Sequence, residues 1–157
     1  MADGASDPYR DLMLASFANL ANQAALDELG ISLVVGGCWL TGQLVGARLW
    51  FEGLARSLEE SGTPGGFADV IRLVGAQVYP SESEREAVGT PGALGGVDGE
   101  PGLPSFLHLQ DACLIASDGR RVPTGGGFVR VRVDEVSAWM LGRIGPVARK
   151  GPAREGD

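Results

Sequence analysis

The chain has 157 residues, of which 44% are hydrophobic and 25 are glycine, and this is enough for one domain with one core but too short for two. A formal net charge of −7 argues against nucleic acid as a partner, because phosphate binding usually leaves a clustered basic footprint. The charge is uneven: residues 1–104 hold 14 acidic and 5 basic side chains, whereas residues 105–157 hold 6 acidic and 8 basic ones. That bias suits either a solvated surface or the meeting of one molecule's tail with another's front half.

Met1 to Arg10 is small, polar and mildly acidic, without the basic and apolar regions of a secretion signal. No run reaches the roughly 18 to 20 apolar residues that a membrane span needs. A cytoplasmic protein without a membrane segment is therefore expected. Cys38 and Cys113 lack a CxxC spacing or a nearby His partner, so they read as reduced, buried small residues, and no metal or cofactor is expected.

Asp7-Pro8 is a helix start, and Met13, Phe17, Leu20 and Ala24 follow at helical spacing, which predicts a first helix over Pro8 to Leu29 with Gly30 as its stop. Ile31 to Val35 and Cys38 to Val45 are strand-like runs joined at Gly36-Gly37, a hairpin with a further break at Thr41-Gly42. Arg48 to Glu60 is an amphipathic helix carrying Trp50, Leu54 and Leu58 on one stripe with Phe51 and Ala55 beside it, and Arg48, Glu52, Arg56 and Glu59 on the outside. Phe67, Val70, Ile71, Val74 and Val78 recur at three and four, which predicts a third helix from Phe67 to Val78.

Pro80 to Pro104 holds six Gly, four Pro and five carboxylates against one Arg, which predicts a mobile acidic linker over residues 80–104. Phe106 to Ile115 is strand-like, with a bulge at Asp111-Ala112. Asp118-Gly119 is a turn, and Thr124 to Gly127 is a flexible tip. Val129, Val131 and Val133 alternate with Arg130, Arg132 and Asp134, the pattern of a half-buried antiparallel strand. Val136 to Ile144 is a last, bent strand. The whole predicts an α+β domain over residues 1–144: an N-terminal helix, a small bent antiparallel sheet of about five strands, a helical insertion, and a disordered tail over 145–157.

Nothing in this pattern is a catalytic constellation. His108, the single histidine, lies between apolar neighbours and reads as part of the sheet; any acid–base work would fall on it or on a carboxylate such as Asp111. Gly125-Gly126-Gly127 lacks the Lys and Ser/Thr of a phosphate loop. Arg120, Arg121, Arg130 and Arg132 form the one basic concentration of this region, and together with Trp139 as an aromatic anchor they are the candidate partner surface.

The Leu-Thr-Gly turn at 40–42, the helix bearing Trp50 and Phe51, the LHLQDA run at 107–112, and the VDEV and LGRI segments at 133–136 and 141–144 together resemble the gas vesicle accessory protein U family. The resemblance spans roughly residues 12–144. It implies a non-enzymatic cytoplasmic accessory factor that binds gas vesicle shell protein, or other vesicle proteins, and itself. The same segments are similar to the Sm-like small barrel, whose rings bind RNA or protein. The long excursion over residues 48–104 and the acidic balance both depart from that second pattern.

Overall fold

The structure, a computed structural model, describes residues 11–23, 29–81, 103–123 and 126–145. The linker expected over 80–104 and the tail expected over 145–157 fall almost entirely outside these residues.

Among the described residues, three α-helices flank a six-stranded, antiparallel open sheet. Helix α1 spans Leu12–Asn22 and is capped by Asp11, whose carboxylate accepts the Leu14 N–H at 2.9 Å. Of the helix expected from residue 8 to 29, residues 8–10 and 24–28 lie outside the described residues. Asp11, not Asp7, is its cap, and Leu29 already belongs to the first strand. Its buried side is Leu14, Ala15, Ala18 and Ala21, a three- and four-residue spacing of mostly small side chains that lets the backbone approach closely. Gly46 shows how closely: a Cβ there would lie 2.6 Å from the Ala21 carbonyl oxygen.

Strands β1 (Leu29–Val35) and β2 (Cys38–Val45) form a hairpin about Gly36 and Gly37, whose φ values of +57° and +81° are those of a turn that matches the sheet twist. Leu40-Thr41-Gly42 is not a turn, since β2 runs through it without interruption. Gly42 instead marks the point where the β2–β3 register shifts, with the Ala112 Cα and Cβ each 3.1 Å from where its own Cβ would stand. Opposite it, Asp111 has φ +48°, so the bulge expected at Asp111-Ala112 is present in β3 (Phe106–Ile115).

Strands β4 (Arg121–Val122) and β5 (Val129–Arg132) both pair with β3, at its two ends, and β6 (Val136–Leu141) pairs with β1. The order β4-β3-β2-β1-β6 leaves the sheet open, so it is not a closed Sm-like barrel. Val131 and Val133 are buried as expected, although Val133 begins a short 3-10 turn, Val133–Glu135, that leads into β6.

Helix α1 covers one face, where Ile31, Leu33, Leu40, Leu44, Leu107, Leu109 and Ala112 form the main core. Helices α2 (Ala47–Glu60) and α3 (Gly66–Val78) are inserted between the adjacent strands β2 and β3 and make a second, aromatic cluster. The Trp50 indole N–H donates to the Leu109 carbonyl at 3.0 Å and fastens α2 to the sheet. Arg72 on α3 bridges Glu52 at 3.0 Å and Glu59 at 2.6 Å on α2.

Helix α3 is present as expected, but its most buried positions are not its largest apolar residues. Phe67 is 64% exposed and Val70 54% exposed, while Ala68 and Gly75 are the buried positions. Small residues let α3 lie close to α2; Phe67, Val70, Leu73 and Val74 are turned outward, while Ile71 and Val78 are half-buried.

Candidate partner surface

The register places Arg121 opposite Ile115, Arg130 opposite His108 and Arg132 opposite Phe106. Because these three partners lie on the face of β3 away from α1, the arginines share that face along one edge of the sheet.

Each arginine is held by a contact within the chain. Arg130 sets its guanidinium 3.6 Å from the centre of the Phe106 ring and donates to the Tyr79 hydroxyl at 3.4 Å. Arg132 donates from Nε to the Asp134 carboxylate at 2.9 Å. Arg120 pairs with Asp118, whose carboxyl is held below its usual range by the Arg120 backbone N–H and then by its side chain. Arg121 donates to the Ile144 carbonyl. The charges of Arg120 and Arg132 are thus offset locally, while the contacts of Arg121 and Arg130 are with neutral groups. Exposed ion pairs of this kind add little to stability, so they leave the arginines able to exchange partners at low cost.

A feature invisible in the sequence lies beside them. After β6 the chain turns at Gly142 and crosses the sheet face as a short strap, Gly142 to Gly145. The Gly142 N–H donates to the Gly30 carbonyl at 2.8 Å, and the Gly142 carbonyl accepts from the Ser32 hydroxyl at 2.8 Å. The Ile144 N–H donates to the Thr41 hydroxyl at 3.0 Å and to Ser32 at 3.2 Å. Ser32 and Thr41 are 0% exposed and lie 2.9 Å apart, so the strap supplies the partners that two buried hydroxyls require. Arg143 reaches on to the Asp111 carbonyl at 2.7 Å.

Trp139 is not part of the arginine edge. It sits on β6 at the far side of the sheet, edge-on to Phe17 at 5.6 Å, with its indole N–H given to the Asp11 carboxylate. That bond and, more strongly, the Leu14 N–H hold the Asp11 carboxyl below its usual range. The five candidate residues therefore divide into an arginine edge and a separate, half-buried tryptophan.

His108 is 2% exposed and surrounded by Trp50, Tyr79 and Phe51, with ring centres at 5.3, 5.5 and 6.1 Å. Its Nε2 has no hydrogen-bond partner among the described residues. Burial first, and the Arg130 charge second, push its pKa down to about 3, so the imidazole is neutral at physiological pH. Asp111 faces Arg143 instead, with 3.9 Å between the charged groups, and the two residues are not brought together. Cys113 is buried, Cys38 is exposed, and no group of three or more His, Cys, Asp or Glu among the described residues is arranged to hold a metal. No helix among them is long and apolar enough to cross a membrane.

Neither a curated protein nor a solved structure matches the chain. A family model described as Gas vesicle protein GvpU-like matches residues 11–144, from the cap of α1 to the strap. The chain is therefore a member of the gas vesicle protein GvpU-like family.

Proposed function

We propose that the protein is a non-enzymatic accessory factor that acts in gas vesicle assembly or clustering, by binding vesicle shell protein and by binding itself in the cytoplasm. The family match over residues 11–144 carries this reading, because it takes in every described element of the fold. The arginine edge supports a site for it. Arg120, Arg121, Arg130 and Arg132 lie along one border of an otherwise acidic molecule and would face an acidic patch on a vesicle protein.

Co-sedimentation of the purified protein with gas vesicles at low and high salt tests the reading. Binding that weakens as salt rises is expected, because contacts between exposed charges are screened. Absence of binding at every salt concentration would overturn it.

A further inference from the structure

The two borders of the sheet are built differently. On the β3 side the edge is broken into a two-residue strand and a four-residue strand, and it carries Arg121, Pro123, Arg130 and Arg132. Short strands, charge and proline are the devices by which proteins keep an edge from pairing with another chain. The β6 border has none of them. Its sequence, VSAWML, is six residues long without charge, Pro or Gly, and Met140 and Leu141 are 48% and 51% exposed. Among the described residues nothing pairs with its outer side.

The ground beside this edge is apolar too. Asp11 is bonded to Trp139 of β6, so the first turn of α1 stands next to that strand, and there Leu12 is 65% and Met13 59% exposed. An unpaired row of backbone N–H and C=O groups selects an extended strand as its partner. Flanking apolar side chains select one that brings apolar surface with it.

We propose that β6 pairs antiparallel with β6 of a second copy of the chain, joining two sheets into one. Two identical strands meet this way about a two-fold axis normal to the sheet, which makes the contact isologous and self-limiting at a dimer. Such an axis keeps each face on its own side. Both α1 helices then lie on the same face, and Leu12 and Met13 of the two copies approach each other over the seam. The arginine edges remain at the two outer borders, away from the seam. The proposal deepens the self-association part of the function given above and rests on it, while placing the contact away from the arginines.

Sedimentation velocity of the full chain across a concentration series, with the double variant Met140→Lys, Leu141→Lys beside it, tests the seam. The wild type is expected to dimerise, with amide exchange slowed over Val136 to Leu141 as concentration rises. The double variant is expected to weaken the dimer at least about tenfold while keeping its circular dichroism, because both positions are half exposed. Leu73→Lys, on the exposed side of α3, should leave the dimer intact. A wild type that stays monomeric up to about 1 mM, or a dimer that responds to Leu73→Lys and not to the β6 variant, would overturn the proposal. A monomer that still co-sediments with gas vesicles removes the seam and leaves vesicle binding standing; a β6 dimer that does not co-sediment does the reverse.

Discussion

Gly75 of α3 stands directly against Phe51 of α2: a Cβ on Gly75 would lie 2.7 Å from the Phe51 Cβ and 2.9 Å from its Cγ. The Phe51 Cβ is fixed to the backbone and cannot swing away, so the two helices touch at a point with no room for one further carbon. Gly75→Val is expected to destabilise the fold by about 1–3 kcal/mol through overpacking, read as a fall in thermal midpoint. Gly66→Ala, at a position with nothing within 4 Å of the added carbon, is the control and should show little loss.

The strap depends on Thr41. Thr41→Val keeps the side-chain volume but removes the nearer of the two acceptors of the Ile144 N–H and one of the partners of Ser32. A loss of about 1–3 kcal/mol is expected in chemical denaturation, together with faster amide exchange at Ile144. Unchanged exchange at Ile144 would mean that the strap is held by other contacts.

His108 sets a pH dependence whose sign can be worked out. Its pKa is lowered to about 3 in the fold from an unperturbed 6.5, so between these values the unfolded chain binds the proton and the folded one does not. Its contribution is fully present above about pH 6.5 and is lost as pH falls toward 3. The wild type should be less stable at pH 5 than at pH 7.5 by about 1–2 kcal/mol, and His108→Leu should remove most of that difference. Asp11, whose carboxyl is also lowered, acts in the same direction but below its ordinary value of 3.8, outside the compared range.

Asp11 has two tasks that substitution can separate. Asp11→Ala removes both the α1 cap and the partner of the Trp139 indole, at an expected cost of about 1–2 kcal/mol. Asp11→Ser should recover the capping share, because a serine hydroxyl accepts from the third residue of the helix. It is too short to restore the Trp139 bond, so the change in tryptophan fluorescence should persist.

Much of the sheet was legible because strand signals are local. The glycine pair at 36–37, the Val129–Val131–Val133 alternation and the bulge at Asp111 each follow from a few neighbouring residues, and each is present. The face of α3 was not legible. Phe67, Val70 and Val74 announce a helix, but which side packs is decided by how near Ala68 and Gly75 let α2 come, and small residues carry almost no hydropathy signal. The Leu-Thr-Gly run misled for a related reason, since Gly42 makes room for Ala112 on another strand and does not turn its own. The alternation also put Arg130 and Arg132 on one face of their strand, as the register does. The position of Trp139 needed the pairing of β6 with β1, about a hundred residues away in sequence, which no local pattern encodes.

The strap has a geometric consequence for charge. Because Arg121 holds the Ile144 carbonyl, the chain leaves the described fold at the arginine edge and not at β6, where the last strand ends. The described chain thus ends beside the border that carries Arg121, Arg130 and Arg132, on the opposite side of the sheet from its last strand.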